Sequence, residues 1–313
     1  MFEIKRYEPS HEQAWNDFVA RSKNGTFLFD RRFMDYHSDR FADSSLMILR
    51  KGRIYALLPA NRVGDTLHSH QGLTYGGLLT DAKATAEGVM EAFGTLNAWF
   101  RNEGVRRVTY KAMPWIYHRL PAEEDLYALT QVCHARLLTR EISSTILLQQ
   151  PLRFTESRKS GLRKALREGL YMEESGDLAA FWQMLDDNLA SRHHTHPVHS
   201  LDELRLLQGR FPQQIHLYLI YNKEKEPVGG TWVFDTGQVV HTQYIASTKE
   251  GKAHGALDLL FDELINRRYR EGIYLDFGKS TEEGGRVLNE HLIFQKEGFG
   301  GRGVCYDTYE WEP

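Results

Sequence analysis

Cysteine is nearly absent from this chain: two residues in 313, Cys133 and Cys305, far apart in sequence. That excludes a disulfide framework and the paired spacings of a structural zinc site. No apolar run approaches the roughly 18 residues that a membrane span needs. The opening residues, MFEIKRYEPS, are charged and lack the apolar core of a secretory signal, so a cytoplasmic protein is expected. A strong charge of one sign is missing too. Net charge is −3, with 19 basic against 17 acidic residues in 1–150 and 20 against 25 in 151–313. Neither half has the basic excess of a nucleic-acid-binding domain. One local patch stands out: RFTESRKSGLRKALREG (153–169) holds six basic and two acidic residues.

What is present is the make-up of an ordinary globular protein, 41% hydrophobic and 26% charged. The length suits two domains of about 150 residues, and we place them at 1–150 and 151–313. Periodicity predicts one order of elements in both halves. In the first, SHEQAWNDFVARS reads as a helix with Ser10 and Gln13 set as a capping box, and a short helix follows near 30–38. Strands are expected at SLMILRK, RIYALLPANRV and TLHSHQ, then a helix over about 82–103 ended by Gly104. RRVTYKA is another strand, with strand-like runs near 132–138 and 141–149.

In the second half DLAAFWQMLDDNLASR is a helix capped by Asp177, and LDELRLLQGR is a second. IHLYLIYN, PVGGTWVFD and QVVHTQYIAS are strands. A long helix over about 253–270 puts Leu257, Leu260, Phe261, Leu264 and Ile265 on one face. The strand IYLDFG, a helix near 285–297 and the strand GVCYDTYEW close the chain. Each half therefore sets several antiparallel strands before one strand–helix–strand unit whose strands should run parallel. The fold class is α/β (α+β), with mixed, mostly antiparallel sheets flanked by helices.

Four stretches carry candidate chemistry. SRHHTHPVHS (191–200) packs His193, His194, His196 and His199 into seven positions. A zinc helix would want two histidines at i, i+4, whereas these straddle Pro197, and Ser200 with Glu203 forms a capping box for the next helix. A loop is the leading reading. DFGKST (276–281) lacks the partner motifs of a kinase and the glycine of a phosphate loop, since Ile273 stands where that glycine belongs. Asp276, Lys279 and Ser280 nonetheless lie at the C-terminal end of an expected central strand, where ligands of α/β sheets gather. The alternative is a local Asp276–Lys279 pair. The basic helix aligns Lys159, Arg163 and Arg167 as a stripe, either a solvated face or a phosphate clamp. In HTQYIAS (241–247), alternation sets His241, Gln243 and Ile245 on one side and Thr242, Tyr244 and Ala246 on the other.

The duplicated element order, together with SHQGLTYGGLL (69–79), SRKSGLRKALREG (157–169) and YLDFGKSTEEGGRVLNEHLIFQKEGFG (274–300), resembles the FemAB-like group of tandem GNAT acyltransferases. The likeness covers most of the chain. It implies two GNAT-like halves, with the active site mainly in the second. The implied reaction moves an acyl or aminoacyl group to an amine. The donor is a coenzyme A thioester, such as acetyl-CoA, or an aminoacyl-tRNA, and no metal is required.

Acceptors implied by the resemblance are small molecules or cell-envelope precursors, including lipids and exopolysaccharide sugars. The resemblance also implies roles for residues. Tyr244 would protonate the leaving group, and His196 or His193 would take the amine's proton. Strand backbone near Tyr244–Ala246 would polarise the carbonyl. Gly251, Lys252, Gly255 and Ala256 would form the donor's pyrophosphate turn, although their spacing departs from the family's glycine pattern. Arg158 and Arg163 would hold phosphate. Tyr75, Gly76 and Gly77, with Asp276, Lys279 and Ser280, would line the substrate site. Two other classes remain: a binding module that kept the fold and lost the donor site, and a histidine-based metallohydrolase.

Overall fold

The computed structural model describes residues 1–193 and 196–313, without the side chains of 192 and 193. In chain order the elements begin with β1 (Phe2–Arg6), α1 (Glu12–Arg21), α2 (Arg31–Met34), β2 (Leu46–Arg50), β3 (Arg53–Leu58), β4 (Asn61–Val63), β5 (Thr66–His68) and β6 (Leu79–Thr80). They continue with α3 (Ala86–Asn102), β7 (Arg107–Lys111), α4 (Glu124–Gln131) and β8 (Arg136–Leu147). The second half adds α5 (Glu156–Arg167), β9 (Tyr171–Glu174), α6 (Leu178–His193), α7 (Leu201–Arg210), β10 (Ile215–Tyr221), β11 (Pro227–Asp235) and β12 (Val239–Ser247). After it come α8 (Lys249–His254), α9 (Ala256–Glu263), β13 (Tyr274–Lys279), the two-residue strands β14 (Thr281–Glu282) and β15 (Val287–Leu288), α10 (Glu290–Gly298) and β16 (Arg302–Trp311).

The chain forms two compact units. One comprises 1–141, 283–287 and 305–313; the other comprises 142–282 and 288–304. The last residues thus rejoin the first unit, where β16 pairs antiparallel with β7, Thr308 opposite Lys111. Each unit contains the parallel strand–helix–strand motif that the element order predicts. In the first it is β5–α3–β7, with Leu67 opposite Val108, and in the second β12–α9–β13, with Val240 opposite Leu275. In the second unit β9, β10, β11 and β12 pair antiparallel in succession, and β13 pairs antiparallel with Leu147–Ser143 of β8.

Core placement follows side-chain periodicity. Val89, Phe93, Leu96 and Phe100 of α3 share one face and are buried with Leu46 and Ile48 of β2 and Trp311 of β16. In the second unit Leu260, Phe261 and Leu264 pack with Ala165 of α5, Leu275 and Phe277 of β13, and Phe299. Burial of side chains this size contributes roughly 1.5–3 kcal/mol each.

Several local expectations are corrected. Ser10 and Gln13 form no capping box: a 3-10 turn over Pro9–His11 precedes α1, and Gln13 donates to Asp17 instead. The two runs near 132–138 and 141–149 are one twelve-residue strand, β8, entered from the unpredicted α4. The helix expected over 253–270 starts earlier, at Lys249, where the Thr248 hydroxyl accepts the Gly251 N–H. It is then interrupted at Gly255, whose φ is +77°. A Cβ there would lie 2.3 Å from the Gly161 carbonyl oxygen, so close approach of α5 requires glycine. Residues 264–268 finish the helix as a π-helical turn. The Ser200–Glu203 capping box and the Asp177 cap are both present.

Candidate active site

The site is built where β12 and β13 part. Their parallel pairing covers Val239–His241 against Tyr274–Asp276, and beyond it β12 runs on to Ser247 and β13 to Lys279. A cavity of about 230 Å3 lies along that opening, with Ile245, Ala246 and Ser247 on one wall and Phe277 on the other. Leu257 and Phe261 of α9 close one end, and Leu292, Gln295 and Lys296 of α10 close another. A wider hollow of about 460 Å3 shares Asn188, Ser247 and Lys252 with it and is bordered by the exposed Asp187.

β12 carries a bulge at Gln243, since Trp232 faces Tyr244 while Val233 faces Thr242. The bulge reverses the expected alternation. Val240 and Ile245, five residues apart, pack in the same core cluster, while Tyr244 turns away and stacks on Trp232, ring centroids 6.1 Å apart. Tyr244 is hydrogen-bonded to His199 Nδ1 at 2.6 Å, and burial pushes its phenol up to about 12, so the hydroxyl keeps its proton.

Lys296 is the buried one of the two lysines that line the cavity. Its ammonium donates to the carbonyls of Gly278 (2.8 Å) and Lys279 (3.0 Å) and to Ser280 Oγ (2.9 Å). Burial lowers its pKa to about 8, against the opposing charge of Asp276. Asp276 itself is fully buried: Ser143, Thr145 Oγ1 (2.8 Å) and His241 Nδ1 (2.9 Å) converge on its carboxylate. Nearby, Lys252 Nζ donates to Asn188 Oδ1 (2.7 Å), and Asn188 donates to the Ser247 carbonyl (3.1 Å).

Residues 155–284 match the family model described as the acetyltransferase (GNAT) domain. That stretch carries the GNAT domain. Solved structures place both units in one tandem fold. FemX is 11% identical with a TM-score of 0.68, over 99% of this chain and 97% of its own. L-PGS from Bacillus licheniformis is 13% identical with a TM-score of 0.59, over 97% and 92%. A tandem GNAT protein from the clavulanic acid biosynthesis pathway is 12% identical with a TM-score of 0.51, over 100% and 98%. At these identities the likeness is one of fold. The two-unit architecture fits the FemAB-like tandem group. No curated protein matches the sequence.

The residues singled out from sequence fall in different places. Asp276, Lys279 and Ser280 sit beside the cavity through Lys296, which bonds the backbone of Lys279 and the hydroxyl of Ser280. Asp276 pairs with His241 rather than acting as an open ligand. Gly251 and Lys252 lie within α8, Gly255 is the break before α9, and Ala256 is buried in the core. Arg158 is engaged by Asp258 at 3.0 Å and lies over the Phe299 ring, while Arg163 is exposed. Tyr75, Gly76 and Gly77 belong to the first unit. Tyr75 is buried with its hydroxyl 3.1 Å from Thr26 Oγ1, and a Cβ at Gly76 would lie 1.9 Å from the Ser69 carbonyl oxygen. His196 is exposed and bonds Asp186 at 2.7 Å. The side chain of His193, and His194 altogether, lie outside the described residues.

Among the described residues no group of three or more His, Cys, Asp or Glu is placed to hold a metal, and no helix is long and apolar enough to cross a membrane. His199, His241 and Lys296 were not singled out as site residues from sequence. Lys296 had a signal in FQKEGFG; His241 and His199 had none beyond their strand and loop positions.

Proposed function

We propose that the second unit transfers a short acyl group from a coenzyme A thioester to a primary amine. The observation that carries this reading is the separation of β12 and β13 beyond His241 and Asp276, with an apolar cavity and a buried lysine in the opening. Past the last pair, the facing strand edges no longer bond one another. Their N–H and C=O groups can pair with an extended, amide-bearing arm such as pantetheine.

The reaction then follows from charge placement. The amine nitrogen attacks the thioester carbon, a C–N bond forms, and the carbonyl oxygen gains negative charge. The Lys296 ammonium, fixed by three acceptors, supplies positive charge in the cavity for that oxyanion. Collapse breaks the C–S bond. The sulfur takes up a proton and the nitrogen releases one, so an amide and a thiol form with no net proton change. We assign the donated proton to Tyr244, whose hydroxyl His199 holds on the face of β12 opposite Ile245, so that Tyr244→Phe tests whether it reaches the sulfur.

Single-turnover transfer of radiolabelled acetyl from acetyl-CoA to amine acceptors tests this. The acceptors should include amino sugars, lipid amines and cell-envelope precursors. Wild type is expected to form amide. Lys296→Met should slow the chemical step by on the order of 10²–10³. Tyr244→Phe should slow turnover and leave donor affinity unchanged. Equal turnover by that variant removes the tyrosine from the mechanism, and failure of the wild type to bind acetyl-CoA overturns the donor.

A further inference from the structure

The walls of the cavity say what kind of acyl group it accepts. Its apolar side chains come from all three sides: Ile245 on β12, Phe277 on β13, and Leu257, Phe261, Leu292 and Phe299 on the helical side. Among the described residues its charged groups are Lys252 and Lys296, both positive, and no carboxylate lines it. The carboxylates nearby are engaged elsewhere. Asp276 is fully buried against Ser143, Thr145 and His241, and Asp258 is paired with Arg158. Asp187 borders the outer hollow only.

From this partition we infer that the donor's acyl group carries no positive charge. The site takes a simple acyl thioester and rejects an aminoacyl one. This inference rests on the reading of the cavity as the donor site. An aminoacyl group would bring an ammonium within a few ångströms of the Lys296 ammonium. Among apolar walls it would find no counter-ion, so like-charge repulsion adds to the cost of desolvating a cation. An acetyl or longer alkanoyl group brings no charge and can lie against the apolar side chains. The outer hollow differs from the cavity in holding a carboxylate, Asp187, beside Lys249 and Lys252. Ser247 borders both spaces.

Titration calorimetry on the full chain at pH 6.5 separates the outcomes, with acetyl-CoA, β-alanyl-CoA and desulfo-CoA as probes. Acetyl-CoA and β-alanyl-CoA differ chiefly in the terminal ammonium, and desulfo-CoA has no acyl group. Acetyl-CoA is expected to bind at least about tenfold more tightly than β-alanyl-CoA, with desulfo-CoA showing that the nucleotide and arm bind in either case. Lys296→Met should narrow the gap by raising β-alanyl-CoA affinity. If that variant does not fold, Lys296→Gln serves the same purpose. Equal affinity for acetyl-CoA and β-alanyl-CoA in the wild type overturns the charge rule while leaving the donor site standing. Failure of all three probes to bind overturns the donor reading itself.

Discussion

At the scale of single residues, Lys296 and Asp276 carry the most consequence. Burial lowers the lysine to about pH 8, so between that value and the ordinary lysine value the unfolded chain binds more protons than the native one. Stability should therefore rise with pH across that window, while the positive charge we assign to the oxyanion is lost. With an acceptor amine already deprotonated, kcat should fall above about pH 8. Lys296→Arg should flatten that limb, because arginine keeps its charge, and a pH–kcat profile of both proteins checks it. Asp276→Ala strands the His241, Ser143 and Thr145 donors in the interior and should cost about 3 kcal/mol in urea unfolding. The pairing of Asp276 with His241 was not legible in the sequence. The two residues are 35 positions apart, and they meet only because parallel register sets them opposite one another. Tyr244 was legible as a candidate, but its partner was not, since His199 reaches it from a loop on another element.

Elements were read more easily than their ends. The strand–helix–strand motifs follow from hydrophobic period and turn residues, which local sequence carries. The bulge at Gln243 does not, because it is a mismatch between β11 and β12 that appears only when they pair. The helix break at Gly255 had a local sign in the glycine, but its cause is the Gly161 carbonyl of α5. Gly255→Val should destabilise by on the order of 2 kcal/mol or more, since strain at φ +77° adds to the clash. Thr248→Ala removes the α8 cap and should cost about 1 kcal/mol without touching the core. Denaturant midpoints of the two variants give both values, and a Gly255→Val protein as stable as wild type would contradict the packing described here.

At the scale of the whole molecule, each unit holds a carboxylic acid that burial pushes up to about 6. Asp125, hydrogen-bonded to Tyr110, is in the first unit, and Asp258, beside Arg158, is in the second. Native protein keeps these protons where the unfolded chain has released them, between the ordinary aspartate range and about pH 6. Stability from these groups therefore falls as pH rises through that window, by roughly 1–3 kcal/mol each. Asp125→Asn and Asp258→Asn should each reduce the difference in urea stability between pH 5 and pH 7. Which residues belong to which unit was only partly legible, because β16 closes the chain in sequence but returns to the first unit in space.

The claim on which the account depends is that the opening between β12 and β13 receives the acyl donor. Binding of acetyl-CoA to wild type and to Ile245→Trp, measured by titration calorimetry with far-UV circular dichroism to confirm folding, tests it most directly. The indole would fill the space that Ile245 borders. A folded variant that has lost acetyl-CoA binding is the predicted result. A folded variant that binds as tightly as the wild type would place the donor elsewhere and contradict the account.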